Sequence, residues 1–560
     1  MLIIDAVNIK KYFGDREILA FQELKIRSGD KIGIVGRNGA GKTTLMNILA
    51  GELLPDEGVV KKYCETAYIK QFTNERITAA ARDLSEFNIR DKAGEEKMSG
   101  GEHTRLKIAG ALSKNSILLL ADEPTANLDI KGIGLLKSRL KKAEALVLIS
   151  HDRDLLDSLC NRIIEVSDGR LTFYEGNFSF YRQQKQVLQK QQLQEYENYV
   201  HEKEHLEEAI LNRKERAGKM KKAPSRMGNS EARLHKREAF QRKGKLLDAA
   251  TGMKTRLEKL EVKTKPKEQP GIKLDFSLTN PPQNKIVISG DKFGFSYGKK
   301  VIFDNVGFQI LNGVKYAIAG DNGAGKTTLL NEIFKCYEVR KSGREPEFNK
   351  NGARGGINIV PRAELGYFFQ GLENLAPGKT VLENVMEDSV QNETTARTIL
   401  ARLLINGDNV YKKVEVLSGG ERIKVSFAKL FVSGANVLLL DEPTNYLDMA
   451  AIEALQNILR EYEGTVLFVS HDRAFVDRVA QRVLIVKDRG LIEYEGNLKA
   501  CEERDNAPAK KDGGQMQKML LQMRIAELLP KLSQAPASQK ESLEQEYKEL
   551  LEQMKQLQQQ

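Results

Sequence analysis

The chain has 560 residues, of which 41% are hydrophobic and 29% charged, and a formal net charge of +11. That length exceeds what one hydrophobic core organises, so two large domains with additional segments are expected, in a composition ordinary for a soluble globular protein. The four cysteines (Cys64, Cys160, Cys336, Cys501) are widely scattered. They lack metal-ligand spacing and argue against a disulfide framework, so free thiols in a reducing cytoplasm are expected.

Along the chain, "MLIIDAVNIKKYF" reads as a β-strand rather than a signal peptide, having no basic leader, no sustained apolar stretch and no small-residue cleavage site. The apolar strand "KIGIVG" then runs into "GRNGAGKTT" at 36–44, followed by the helical "TTLMNIL". This strand–loop–helix setting is the one a G-x-x-x-x-G-K-T phosphate loop requires. Its glycines let backbone N–H groups approach anionic oxygens. Lys42 would reach the β- and γ-phosphates and Thr43 would place a hydroxyl on Mg2+. Further on come "AYIKQ" ending at Gln71, "MSGGE" at 98–102, "LLLADEPTANLD" at 118–129 and "VLISHDRDLLD" at 147–157. The apolar runs at 117–121 and 437–440 are far shorter than the roughly 18 residues that span a bilayer, so no transmembrane segment is expected. Asp122 closes a buried strand where a carboxylate can hold Mg2+, and Glu123 follows where it can orient an attacking water. An acid at a helix N-terminus also suits the helix dipole. That local reading leaves the pairing with the upstream lysine unexplained.

The second half repeats the first in the same order. "GDNGAGKTT" stands at 320–328, "LSGGE" at 417–421, "VLLLDEPTNYLD" at 437–448, "LFVSHDRAFVD" at 467–477 and "EYEGNLKAC" at 493–501, about 284 to 320 residues after their partners. A period that long means two homologous domains rather than a solenoid. Within each, apolar β-rich runs alternate with helical stretches, which predicts α/β domains with a mainly parallel sheet covered by helices.

Between the halves the character changes. Residues 178–270 are polar and helix-favouring, with a Gly/Pro/Ser/Asn break near the middle and "TKPKEQPG" leading into the second domain. Leu246, Ala250, Met253, Leu257 and Leu260 form an apolar stripe at steps of 4, 3, 4 and 3. Two antiparallel helices with arms of about 35 residues, each roughly 50 Å long, are expected. Residues 181–270 carry 23 basic and 13 acidic side chains, so +10 of the +11 lies here, and Arg213–Lys243 has 12 basic against 3 acidic. Such a basic tip points to a polyanionic partner. The candidate RNA contacts are Arg213, Lys214, Arg216, Lys219, Lys221, Lys222, Arg226, Arg233, Lys236 and Arg237. The organisation expected is a first domain at 1–177, a hairpin at 178–270 with its tip about 213–229, a second domain at 271–500, and a helical extension at 501–560.

The Ser-Gly-Gly-Glu between each phosphate loop and Asp-Glu resembles the signature of ATP-binding cassette ATPases. The resemblance implies ATP hydrolysis at two sites, with ATP and Mg2+ bound. One site would take Gly36, Asn38, Gly39, Gly41, Lys42, Thr43 and Thr44, capped by Ser418, Gly419 and Gly420 of the other half. The second would take Gly320, Asn322, Gly323, Gly325, Lys326, Thr327 and Thr328, capped by Ser99, Gly100 and Gly101. It further implies Mg2+ near Thr43, Gln71, Asp122, Thr327, Gln370 and Asp441, catalysis by Glu123, Glu442, His151 and His471, D-loop aspartates Asp129 and Asp448, and adenine stacking on Phe13 and Tyr297. Met98 and Ala121 replace the commoner leucines, and 27 residues separate Gln71 from Ser99 where 47 separate Gln370 from Ser418.

Two cassettes in one chain, joined by a long charged helical connector, resemble the ABC-F family. Its members bind ribosomes, with the connector entering the tRNA exit site toward the peptidyl-transferase centre. The tip around Arg226–Lys236 is similar to that of the antibiotic-resistance members of the Vga and Lsa type, which protect against lincosamides, streptogramin A and pleuromutilins. The implied partners are the 70S ribosome, 23S rRNA and P-site tRNA, for a cytoplasmic monomer with an intramolecular cassette dimer and no membrane contact. A housekeeping ABC-F translation factor shares all these motifs. The ATPase component of a transporter has no evident use for a basic hairpin, and DNA-associated cassette ATPases carry longer coiled coils or zinc-bearing inserts.

Overall fold

The computed structural model describes residues 1–70, 79–87, 89, 100–114, 116–126, 128–219, 229–263, 275–343, 353–368 and 374–500. The expected extension at 501–560 lies outside them. Each half builds a six-stranded sheet and a three-stranded one. In the first half the larger sheet runs in the order Thr66–Ile69, Leu118–Asp122, Ala145–Ile149, Lys31–Gly36, Arg162–Ser167, Arg170–Glu175. Its first five strands are parallel and the last is antiparallel. The second half repeats the order with Leu365–Phe368, Val437–Asp441, Thr465–Val469, Lys315–Gly320, Arg482–Lys487 and Gly490–Glu495.

The central strands are apolar throughout because both of their faces are covered. Leu118 and Leu120 point into a core with Ile4, Leu24, Ile32 and Leu45, while Leu119 and Ala121 point into another with Val35, Leu148 and Leu156. This period-two alternation locks the register, since a slip of one residue would exchange the faces. Parallel strands also end on one common edge. Gly36, Asp122 and Ser150 in the first half, and Gly320, Asp441 and Ser470 in the second, therefore meet at the carboxyl edge of their sheet, where ligands bind in open α/β sheets. The smaller antiparallel sheets centre on Leu2–Phe13 and Ile286–Tyr297 and carry Phe13 and Tyr297 at their hairpin turns.

The connector is a helical hairpin, with an outgoing arm Phe178–Lys219 of 42 residues and a return arm Asn229–Lys259 of 31. At 1.5 Å per residue the outgoing arm is about 63 Å long, longer than the sequence suggests. Its first turn is not free, because Phe178 and Tyr181 are buried in the first cassette's core. Arg213 lies on Met253, Glu202 on Arg256 and Glu195 on Lys263, which sets the arms antiparallel. The return-arm stripe lies along the less exposed face, with Ala250 fully buried opposite Leu206, Ile210 and Ala217 of the outgoing arm as the buried apolar residues.

Among the described residues no helix is long and apolar enough to cross a membrane, and no cluster of His, Cys, Asp and Glu has metal-binding arrangement. Cys64, Cys160 and Cys336 are free thiols; Cys501 lies outside the described residues.

Candidate nucleotide sites between the cassettes

Each phosphate loop is held by glycines that no other residue could replace without movement. A Cβ on Gly36 (φ +154°) would fall 2.4 Å from the Val166 carbonyl oxygen, and one on Gly325 (φ +112°) 2.4 Å from Ile302. The helices that follow, Lys42–Ala50 and Lys326–Lys341, start behind Gly41 and Gly325 with no side-chain cap. Their first N–H groups are thus left for an anion. The Lys42 ammonium donates to the carbonyls of Gly36 (2.9 Å) and Arg37 (3.1 Å), and Lys326 to those of Gly320 (2.9 Å) and Asp321 (3.1 Å). Burial pushes both lysines below their ordinary value, against the pull of Glu123 and Glu442. A buried cation bonded only to carbonyls is stabilised by an incoming anion.

At the strand ends, the Thr43 hydroxyl donates to Asp122 (2.9 Å) and the Thr327 hydroxyl to Asp441 (3.2 Å). Burial pushes Asp122 up to about 6 and raises Asp441 as well. A desolvated hydroxyl–carboxylate pair, whose charge is unfavourable alone, fits a hard divalent cation. The next residues, Glu123 (φ +47°) and Glu442 (φ +48°), adopt the left-handed conformation, which costs about 1 kcal/mol or more for a residue with a Cβ. Their backbone N–H groups donate to Ile149 and Val469 (2.9 Å each), which pins the conformation. In both, Oε2 accepts from the backbone N–H of the histidine (His151 or His471, 3.3 Å each). Oε1 lies 3.3 Å from His151 Nε2 in one site and 3.4 Å from His471 Nε2 in the other, and has no hydrogen-bond partner among the described residues. Burial pushes Glu442 up to about 8 and His471 down to about 4, the latter helped by Lys326. Each site therefore presents a buried carboxyl oxygen with an unused acceptor position.

The halves face each other head to tail. Asn38 of the first loop donates its backbone N–H to Asp448 (3.1 Å) and its side-chain amide to the Tyr446 carbonyl (3.0 Å) of the second half. Gly420 stands close beside them: a Cβ would be 3.0 Å from the Tyr446 carbonyl and 3.1 Å from the Asn38 amide, so either neighbour would have to shift to admit one. In the reciprocal seam Asp129 accepts from Gly132 (2.9 Å), Arg105 (2.8 Å) and the Asn322 backbone, and Lys131 pairs with Asp321 (2.8 Å). Burial opposes ionisation of Asp129 and Asp448. The N–H donors with Arg105 in one case and Lys424 in the other outweigh it, so both stay below the usual carboxylate range.

One continuous cavity is lined by both loops, including Gly39, Gly41, Thr44, Asn322, Gly323, Gly325 and Thr328, and by both acid pairs. Gly101, Gly419, Gly420, Phe13 and Tyr297 also reach it. The two aromatics are more than half exposed, at 53% and 57%, which suits a planar ligand face. Gly100 begins the helix Gly100–Leu112. Ser99, Gln71, Gln370, Lys221, Lys222 and Arg226 lie outside the described residues. Ser418 caps its helix in a reciprocal box with Glu421, so the glutamate of the second signature motif has a local structural task. Arg105 and Tyr446 were not singled out from the sequence. Aligning the repeats puts a cation at Arg105 and at Lys424, six residues after each signature serine, and each acts on a D-loop aspartate. That shared position was the available signal.

A sequence profile of the family described as ABC transporter matches residues 21–84, 65–126 and 303–445, and a second profile of that description matches 164–239. The erythromycin resistance ATP-binding protein MsrA of Staphylococcus epidermidis is 34% identical over 466 residues, 81% of this chain and 91% of its own length. The chain belongs to the ABC-F family of ATPases. As an ABC-F protein it binds ATP in its two cassettes and hydrolyses it. The ribosome protection protein VmlR of Bacillus subtilis is similar over almost the whole of both chains, 29% identical over 578 residues, with 99% and 98% covered. Among solved structures, the complex of the archaeal stalk protein aP1 with the recycling factor aABCE1 shares the fold, with a TM-score of 0.58 at 19% identity over 89% of this chain and 92% of that one.

Proposed function

We propose that this ABC-F ATPase is a ribosome-protection factor. It binds the 70S ribosome, places its hairpin in the E site toward the peptidyl-transferase centre beside 23S rRNA and P-site tRNA, and keeps lincosamides, streptogramin A and pleuromutilins from acting. The observation that carries this reading is the hairpin itself. Its outgoing arm of 42 residues is rooted in one cassette, and the connector holds nearly all of the chain's excess positive charge. Similarity to VmlR along 99% of the chain supports the same assignment. Lys214, Arg216 and Lys219 lie exposed on the outgoing arm, where they would neutralise phosphates. Arg213 is half-buried on Met253 and contributes less. Arg233, Lys236 and Arg237 fall on the return arm.

In this reading ATP closes the cassettes. The loops and the helix starts behind them hold the phosphates, with Lys42 and Lys326 on the terminal ones. Ser418, Gly419 and Gly420 complete the Lys42 site; Ser99, Gly100 and Gly101 complete the Lys326 site. Phe13 and Tyr297 stack on adenine. Thr43, Asp122 and Gln71, and Thr327, Asp441 and Gln370, would hold Mg2+, which neutralises phosphate charge when bound. Glu123 and Glu442 orient the water that attacks the γ-phosphorus and receive its proton as the bond to ADP breaks; His151 and His471 fix those carboxylates. Asp129 and Asp448 report closure from the opposite cassette. Hydrolysis reopens the pair and releases the ribosome, a two-state switch in a cytoplasmic monomer.

The test is antibiotic susceptibility of a strain deleted for the chain. Inhibitory concentrations of lincomycin, tiamulin and virginiamycin M should fall and return on complementation. Unchanged values for all three would contradict protection and favour a housekeeping translation factor.

A further inference from the structure

We propose that Glu453 is a positioning residue that ties closure of the cassette pair to the angle of the hairpin, by clasping Arg153 and Arg182 together. Glu453 lies on the second cassette's helix Met449–Glu461, which is capped by the same Asp448 that bonds Asn38 across the interface. Its Oε1 is 3.1 Å from Arg153 Nη2 and 2.7 Å from Arg182 Nη2, both in the first half. Arg153 opens the helix Arg153–Leu159, two residues beyond His151, and Arg182 stands one turn into the outgoing arm.

These two arginines belong to one packed unit. Leu155, Leu156 and Leu159 share a core with Phe178 and Tyr181, Tyr181 meets Tyr174 edge-on at 4.8 Å, and Asp157 accepts from the Ser179 backbone at 2.7 Å. A carboxylate from the opposite cassette therefore grips both the helix that follows the site histidine and the root of the arm. The Arg153 side chain is only 13% exposed; burial, Arg182 and Arg478 oppose its charge, while Glu453 and Asp472 favour it.

Among the described residues the clasp is present on one side. In the aligned repeat, Gly134 stands where the second half has Glu453, and the space beyond it is open. Arg153 is matched by Arg473, but Arg182 is matched by Glu502 and Tyr181 by Cys501. This acid occurs on the seam from which the arm leaves.

The inference rests on the proposed ATP-driven closure and not on the ribosome, so it is tested on the free chain. Nitroxide-bearing noncanonical side chains at the exposed Leu211 on the arm, Leu54 on the first cassette and Val390 on the second give one arm pair (Leu211–Val390) and one closure pair (Leu54–Val390). Distances are measured with and without ATP in the Glu123→Gln/Glu442→Gln background, with Glu453→Gln, Arg182→Gln and both. The arm-pair distribution should broaden equally in each single variant and no further in the double variant, while the closure pair keeps its ATP-dependent shift. In an otherwise unaltered chain, the same variants should hydrolyse ATP near the wild-type rate. An arm-pair distribution unchanged by Glu453→Gln overturns the clasp. So does loss of the closure shift alongside the arm shift, which marks a plain interface ion pair. If the parent shows no ATP-dependent closure shift, the proposed closing motion fails and the clasp with it.

Discussion

At the residue scale, chemistry converges on the two glutamates. Glu123→Gln and Glu442→Gln together should lower ATP turnover by about 10²–10⁴-fold, the range general-base removal produces, while fluorescent-nucleotide binding persists. Turnover that survives the double change would contradict their role. A second prediction concerns Asp472, whose carboxyl burial pushes up to about 6 from an ordinary 3.8 and which caps the helix Arg473–Val479. In the window between those values the unfolded chain releases its proton first, so ionisation there costs native stability as pH rises. Asparagine keeps the cap and never ionises. Asp472→Asn should therefore gain on the parent in urea unfolding as pH rises from about 4 to about 6, by at most about 3 kcal/mol, and keep the gain at neutral pH. A pH-independent difference would contradict it. The loops, acid pairs and histidines were legible at this scale because they recur with fixed spacing. The Asn38–Tyr446 contact was not, since it depends on a carbonyl turned across the interface by a left-handed residue (φ +64° at Tyr446), which no spacing reveals.

At the element scale, the return arm was readable and its partner less so. Leu246, Ala250, Met253, Leu257 and Leu260 repeat at helical spacing and face the outgoing arm. The outgoing arm hides Leu206, Ile210 and Ala217 among polar residues, and its root Phe178 and Tyr181 sits in a cassette core. Period alone cannot separate a hairpin seam from an anchor. Leu206→Ala should destabilise the hairpin by about 2–5 kcal/mol, seen as faster amide exchange in both arms with the cassettes unchanged. Gly252 is exposed inside the return arm with nothing within 4 Å of where a Cβ would stand. Gly252→Ala should slow exchange there, stabilising the arm by about 1 kcal/mol. Exchange unaffected by either change would mean the arms do not form a cooperative pair.

At the scale of the whole molecule, two near-repeats make an asymmetric machine. The second cassette has helices Val381–Met386 and Glu393–Arg402 where the described residues of the first hold Ala81–Glu86, as the unequal spacing before the two signatures suggests. The seams differ as well, with Lys131–Asp321 on one and Arg153, Arg182 and Glu453 on the other. The repeat announced two α/β cassettes and a connector. It could not announce these trans contacts, because each needs a residue that the other half replaces: Gly134 stands for Glu453, Glu502 for Arg182, Ala450 for Lys131 and Arg37 for Asp321. Whether ATP-driven closure puts the basic hairpin on the ribosome is decided by co-sedimentation of the Glu123→Gln/Glu442→Gln protein with 70S ribosomes. The protein should travel with the 70S fraction in ATP, be lost without nucleotide, and be released progressively as salt rises. Absence from the 70S fraction in ATP at low salt would contradict it.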